Sequence, residues 1–366
     1  MSLAIVTTTI NVPTFLEAYC RDIMEHDRRD VILIVVGDKK TPDEVSGYCK
    51  ALTSKYGLPT EYYDIERQIA YLRAFPELER HLPFNSVQRR NIGMVRAYQL
   101  GADTILTVDD DNYLREPDLL RCHARVGEVL SLPAYHSSTG WFNPCAFLSA
   151  TPSIPFYHRG FPLRERWKPA ETKTIRRKGK LAVNVGMWLG DPDVDAWVRM
   201  ALPIDCSAWN GPRSFTLGED TWAPFNSQQT ALAREIIPAY FLDPNAGRYD
   251  DIWASYTVHR IAGHLGHLIS YGSPIVDHIQ KRSVASLLRD LSDEQQGASL
   301  TDAFVQALKG APLRASSYAD CYSELAEHLS QVLHYGAGLE RGSTAFLRTY
   351  VKGMRMWSAT IAKLGA

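Results

Sequence analysis

Asp109, Asp110 and Asp111 stand in a row after the apolar run Ile105-Leu106-Thr107-Val108 and just before Asn112. Like charges this close repel, and burying them costs several kcal/mol each unless something compensates. A divalent ion carrying a phosphorylated ligand is the natural partner. Oxygen-only ligands favour Mg²⁺ or Mn²⁺, with Asp109 and Asp111 as ligands and Asp110 turned toward the bound molecule. The plainer alternative, a solvated acidic turn or a helix N-cap, competes evenly for an isolated triplet. The surrounding pattern decides between them.

Over the first 115 residues, β-branched apolar runs alternate with helical patterns: a strand over Leu3 to Ile10, a helix over Thr14 to Glu25, and a strand over Val31 to Val36 closing on Gly37-Asp38. That alternation predicts an α/β sheet, and ligands of such sheets sit beyond the carboxyl ends of the strands. Thr8, Asp38 and the aspartate triplet all fall there. GxGxxG is missing after the first strand, which argues against a dinucleotide site and leaves a mononucleotide or nucleotide-sugar site. Asn85 to Ala97 predicts a helix leading into the aspartate strand, with Arg89, Arg90 and Arg96 at or near one end. A guanidinium donates two parallel hydrogen bonds to phosphate; Arg90 is the candidate, whereas Arg96 is expected in a surface ion pair.

The chain of 366 residues is long for one core, and it is expected to divide into a sheet domain over 1–282 and a helical region over 283–366. Apolar residues recur at three-to-four spacing over Val284 to Leu291, Leu300 to Leu308, Tyr318 to Leu333 and Thr344 to Lys363. A net charge of −1 argues against a nucleic-acid binder held by bulk electrostatics. Six scattered cysteines without a CxxC pair predict reduced thiols in a cytoplasm, and no apolar run approaches the ~20 residues that span a bilayer.

Beyond the triplet, the basic helix and strand-end aspartates resemble the glycosyltransferase A-type fold, in which Asp109 and Asp111 would hold the metal on a nucleotide diphosphate. Later blocks are similar to one family in particular. His158-Arg159-Gly160-Phe161-Pro162, followed by Arg164-Glu165-Arg166, Gly186-Met187-Trp188-Leu189 with Asp191-Pro192-Asp193-Val194-Asp195, and Gly247-Arg248-Tyr249-Asp250-Asp251-Ile252-Trp253-Ala254 resemble stretches of the reversibly glycosylated polypeptides, the UDP-arabinopyranose mutases. The last block is the most specific.

The resemblance implies a metal-dependent, flavin-independent mutase that interconverts pyranose and furanose forms of a nucleotide sugar. Bacterial relatives would extend this to GDP-sugars, including 6-deoxyhexoses of antibiotic pathways. It also implies a self-associating protein whose partner is the nucleotide sugar, UDP- or GDP-linked. On this reading Arg159 and Arg166 are catalytic arginines, although a protonated guanidinium is a poor nucleophile and suits leaving-group stabilisation better. Asp250 and Asp251 take electrostatic and base roles at the sugar, Asp191, Asp193 and Asp195 meet its hydroxyls, and His278 completes the metal shell. His259, His264 and His267 are expected in packing or on the surface, and Trp188 and Trp253 in the core. The basic stretch Trp167 to Lys180 is expected as a loop, either simply solvated or a lid over the diphosphate. Two other functions use the same aspartates: a glycosyltransferase with an external acceptor, and a self-glycosylated carrier that turns nothing over.

Overall fold

A computed structural model describes residues 2–115, 117–280, 282–334 and 341–365. Among them run the strands β1 (Leu3–Thr8), β2 (Val31–Val36), β3 (Thr60–Tyr63), β4 (Thr104–Asp109), β5 (Asn112–Leu114), β6 (Val129–Ser137), β7 (Leu148–Thr151), β8 (Thr172–Gly190), β9 (Asp205–Trp209), β10 (Ser214–Leu217), β11 (Gln229–Ala233) and β12 (Leu268–His278). The helices are α1 (Leu16–Glu25), α2 (Glu44–Tyr56), α3 (Ile65–Leu72), α4 (Pro76–His81), α5 (Arg90–Gln99), α6 (Leu119–His123), α7 (Ala196–Ala201), α8 (Asp250–Leu265), α9 (Val284–Gly310), α10 (Tyr318–His334) and α11 (Arg341–Gly365).

The first four strands in sheet order, β3-β2-β1-β4, are parallel. The apolar sequences of β1, β2 and β4 are buried on both faces, as a parallel sheet covered by helices requires. Gly93 lets α5 press onto this sheet: a Cβ there would lie 2.5 Å from Val6 Cγ1. Beyond β4 the sheet turns mixed, with β11 antiparallel to both β4 and β8, and β12 parallel to β8. The result is the mixed α/β sheet with a helical C-terminal part that the glycosyltransferase A-type resemblance implied.

Two readings of the sequence change. Most of the basic stretch is not a loop: Thr172 to Lys180 is the first half of β8, laddered antiparallel onto β6 from Ser137 to Val129, and only 167–171 lie outside a strand. Its charges decorate a paired ribbon, with Lys180 near Glu235 at 2.9 Å, so a hinged lid has no free backbone there. The two helical patterns over 284–308 merge into one helix, α9, which opens on a reciprocal Ser283–Ser286 capping box.

The C-terminal helices share the hydrophobic core of the sheet. Trp253 of α8 stacks on Phe304 of α9 with ring centroids 4.1 Å apart, and Trp357 Nε1 of α11 donates to the Ile237 carbonyl at 2.9 Å. Trp188 and Trp253 are both buried core residues, as expected. His259 donates or accepts against Tyr271 Oη, while His264 and His267 contact the Ala315 carbonyl and Tyr318 Oη.

Candidate active site

Strand register builds the site. β4 ends at Asp109, the chain turns through Asp110 and Asp111, and β5 then pairs Asn112 with His278 at the end of β12. This pairing sets His278 Nε2 3.3 Å from Asp111 Oδ2, while Nδ1 is occupied by the Asp191 carbonyl. A histidine with Nδ1–H donated to a carbonyl presents the Nε2 lone pair outward, the usual orientation of a metal-ligating imidazole. Gly190, at φ +81°, keeps this corner tight: a Cβ there would meet the His278 carbonyl oxygen at 2.5 Å.

Around this corner lies an open cavity of about 250 Å³. Thr8, Arg90, Asp109, Asp110, Asp111, Arg159, Asp193, Asp250, Asp251 and His278 line it, so the structure brings together most of the residues singled out in the sequence. Arg90 starts α5 directly after a short 3₁₀ turn over Val87–Arg89. From there its buried guanidinium reaches Asp109, Thr8 Oγ1 at 3.2 Å and Ser227 Oγ at 2.8 Å.

Opposite the triplet, Arg159 is clasped by two carboxylates. Its Nε and Nη2 meet Asp193 at 2.9 and 3.1 Å, and Nη2 also meets Asp251 Oδ1 at 3.2 Å. Burial opposes the charge, but Asp193 and Asp251 hold the guanidinium well above its ordinary value, and in return Asp193 is held well below the usual carboxylate range. Gly160, at φ +78°, allows the segment to lie on α8, where a Cβ would strike Ile252 Cγ2 at 2.3 Å.

Asp250 opens α8 and behaves differently from its neighbour. It accepts from Gln88 Nε2 at 2.7 Å and from the Asp251 backbone N–H at 2.7 Å, whereas Asp251 accepts from Arg159 and from Ser227 N and Oγ. Burial, and then the adjacent Asp251 charge, push the Asp250 carboxyl up to about 7. Two adjacent carboxyls with different partners can therefore divide the work, Asp251 paired with Arg159 and Asp250 exchanging a proton near neutral pH.

Four expected site residues, Arg166, Asp195, Asp191 and Asp38, lie outside the cavity lining. Arg166 pairs with Asp195 and donates to the Phe161 carbonyl, and both side chains are buried. Asp195 also accepts from Tyr249 Oη at 3.1 Å and from Gly160 N at 3.2 Å, so this pair ties the Arg159 segment to α7 and α8. Asp191 pairs with Arg199 and Arg282, acting on the site through its carbonyl on His278. Asp38 closes β2 and accepts from Lys39 N and Ser86 N at 2.7 and 3.0 Å, anchoring the turn that leads to Arg90. Arg96 pairs with Glu61 as expected of a surface ion pair, and Arg89 is buried against Gln68 and Phe84.

Several lining residues carried no flag in the sequence: Asn226, Ser227, Gln228, Arg248 and Arg282. A usable signal existed for three of them. Asn226-Ser227-Gln228-Gln229-Thr230 is a run of five polar residues at the mouth of a core strand, and all are buried. Asn226 Nδ2 donates to Asp193 Oδ2 at 2.7 Å and Ser227 bridges Arg90 to Asp251, so the run links the two halves of the cavity.

Among the described residues, no three histidine, cysteine or carboxylate side chains already converge around a metal-sized space. The donor set nonetheless fits a divalent ion. Burial raises the Asp109 and Asp110 carboxyls; Arg90 offsets this for Asp109 only in part, and Asp111 adds to it. A cation between Asp109, Asp111 and His278 would relieve that repulsion, and an imidazole beside carboxylates suits Mn²⁺.

A family model described as reversibly glycosylated polypeptide matches residues 153–364. UDP-arabinopyranose mutase 3 of Arabidopsis thaliana is 27% identical over 264 residues, 67% of this chain and 67% of its own length. UDP-arabinopyranose mutase 1 of Oryza sativa subsp. japonica is 27% identical over 198 residues, and there the chain spans about half of the relative, 53%. Among solved structures, a mannosyltransferase from Pyrobaculum calidifontis in complex with GDP-Man and Mn²⁺ is 11% identical, with 99% of this chain and 86% of that one covered, at a TM-score of 0.33. That likeness is too slight to bear on ligand or mechanism. With the family model covering more than half of its length, the chain belongs to the reversibly glycosylated polypeptide family.

Proposed function

We propose that the chain is a nucleotide-sugar mutase that interconverts the pyranose and furanose forms of a sugar carried on a nucleoside diphosphate. One observation carries the reading: Asp250, poised to exchange a proton near neutral pH, shares a single cavity with the charge-locked Arg159–Asp251 pair and the Asp111–His278 corner. The names of the relatives, UDP-arabinopyranose mutases, supply the reaction class.

The glycosyl phosphate is a locked acetal, so its ring opens only after the bond from C1 to the phosphate oxygen breaks. Arg90 faces the side where negative charge appears on the leaving diphosphate. A Mn²⁺ or Mg²⁺ on Asp109, Asp111 and His278 would supply Lewis-acid charge to the same oxygens. Asp251 and Asp193, both paired with Arg159, face the positive charge left at C1. For a pentopyranose, O4 then bonds to C1 as the C1–O5 bond breaks, and the proton lost by O4 is regained by O5. Asp250 takes and returns that proton, after which the same phosphate oxygen re-forms its bond to C1. Electrons and protons balance along this route without an oxidant or reductant, and flavin independence is part of the proposal. Arg159 acts by charge, not as a nucleophile.

Residues 1–282 would hold the ligand and metal, with 283–366 as a helical buttress. UDP-sugars are the first substrates to try, and GDP-sugars, GDP-6-deoxyhexoses among them, the second. The six free thiols support a cytoplasmic setting, and self-association in solution belongs to the same reading. The test is incubation with Mn²⁺ and a panel of UDP- and GDP-pyranoses without acceptor, followed by anion-exchange chromatography and NMR. An isomer of unchanged mass, lost with EDTA and in Asp111→Ala, supports the mutase. Free nucleotide that appears only when acceptors are added overturns it in favour of a glycosyltransferase.

A further inference from the structure

Four arginines face the cavity, and they are held in two different ways. Arg90 and Arg159 are neutralised by the cavity's own carboxylates, Asp109 for the first and Asp193 with Asp251 for the second. Arg248 and Arg282 are held from behind, by α9. Asp290 accepts from Arg282 Nη1 at 2.9 Å and stands 3.5 Å from Arg248 Nη1. Glu294, one helical turn further on and fully buried, accepts from Arg248 Nε at 2.9 Å and from the Ala196 backbone N–H at 2.7 Å. Arg282 Nε also reaches Asp191 Oδ2 at 3.4 Å, and the Arg248 carbonyl accepts from Arg159.

This arrangement matters for an anionic ligand. Six aspartates line the cavity, and Arg90 and Arg159 are already committed to three of them. A diphosphate entering such a field needs cationic groups whose charge is not spent inside it. Arg248 and Arg282 meet that need, because their counter-ions lie outside the lining. Among the described residues neither Nη2 donates to a protein acceptor, so each guanidinium keeps an edge for a phosphate oxygen.

We propose that Arg248 and Arg282 clamp the diphosphate of the substrate, and that Asp290 and Glu294 of α9 are positioning residues that aim them. The proposal rests on the nucleotide-sugar reading above. It makes the first C-terminal helix part of substrate recognition: the two acidic side chains fix the direction of two flexible arginines, so less side-chain entropy is lost when phosphate binds.

The experiment is calorimetric titration of the wild-type protein, Asp290→Asn, Glu294→Gln, Arg282→Ala and Arg282→Lys with UDP and GDP and with UMP and GMP, in Mn²⁺, with Tm measured in parallel. A lost charge-assisted contact weakens diphosphate binding by about tenfold or more. Asp290→Asn and Arg282→Ala are expected to show that loss for the diphosphates and a much smaller one for the monophosphates, with Arg282→Lys intermediate. Glu294→Gln alters a fully buried position and removes one of the two carboxylates that hold Arg248; if it does not fold, Asp290→Asn, at a partly exposed position, still decides. Diphosphate affinity equal to wild type in Asp290→Asn and Arg282→Ala overturns the clamp. Equal losses for mono- and diphosphates together with a lower Tm also overturn it, because they mark a purely structural role. A wild-type protein that binds no nucleoside diphosphate overturns the mutase reading and the clamp together, whereas a wild type that binds and isomerises beside unaffected variants removes the clamp alone.

Discussion

His278 Nε2 lies 3.3 Å from Asp111 Oδ2 because β5 pairs with β12, and the Asp191 carbonyl takes its other ring nitrogen. Burial works against protonation of this imidazole, but the Asp111 carboxylate outweighs it and raises the pKa. A divalent cation would compete with that proton. Asp111→Ala and His278→Ala are each expected to weaken Mn²⁺ binding at least about tenfold in the presence of UDP, a loss of roughly 1.4 kcal/mol. Electron paramagnetic resonance of free Mn²⁺ reads this directly, and wild-type affinity in both variants would remove the pair from the metal shell.

Asp250 sets a pH dependence whose sign follows from its burial. The carboxyl moves from an ordinary value of 3.8 to about 7 in the fold, through burial first and the Asp251 charge second. Between those values the folded protein keeps a proton that the unfolded chain has lost, so stability falls as pH rises through this window. Asp250→Asn removes the titration. Denaturant midpoints at pH 5 and pH 8 should therefore differ less in the variant than in the wild type, and the limb near pH 7 in the kcat/KM profile should disappear from whatever activity remains.

Replacing Arg159 separates charge from geometry. Arg159→Ala strands Asp193 and Asp251 in a buried site, and removing one partner of such a pair costs about 3–5 kcal/mol. Arg159→Lys keeps the charge but cannot bridge both carboxylates, and is expected to fold while losing on the order of 10²-fold in kcat/KM. Residual activity close to wild type in the lysine variant would show that the fork is dispensable.

Arg166 is expected to fail differently. It reaches Asp195 and the Phe161 carbonyl, not the cavity, so Arg166→Lys should lower Tm while the folded protein keeps its affinity for UDP and Mn²⁺. Thermal unfolding beside titration of the folded fraction checks this. A loss of UDP affinity at unchanged Tm would return Arg166 to the ligand.

Much of the site was legible in local pattern. Apolar runs such as Val31–Val36 and Ile105–Val108 can only be satisfied inside a covered sheet, so the strand ends and the residues just beyond them, Thr8 and Asp109 to Asp111, could be placed from periodicity and charge alone. Blocks around Arg159 and Asp250 were recognisable because their residue types are unusual together. The helical periodicity of the tail was equally plain, although the sequence did not show that 284–310 is one unbroken helix.

What periodicity could not assign was which partner each charge would choose. Asp191, Asp193 and Asp195 alternate along a few residues, yet Asp193 alone faces the cavity, while Asp195 turns to Arg166 and Asp191 to Arg199 and Arg282. Arg248 stood unremarked inside the most specific block, and its direction comes from Asp290 and Glu294 on a helix that follows in the chain. Such choices rest on contacts between segments far apart in sequence, made only where packing closes a buried, low-dielectric space in which each charge must find a counter-charge. Residue type and spacing set the strands, the helices and the chemistry on offer; the folded packing assigned each aspartate and arginine to ligand or to scaffold.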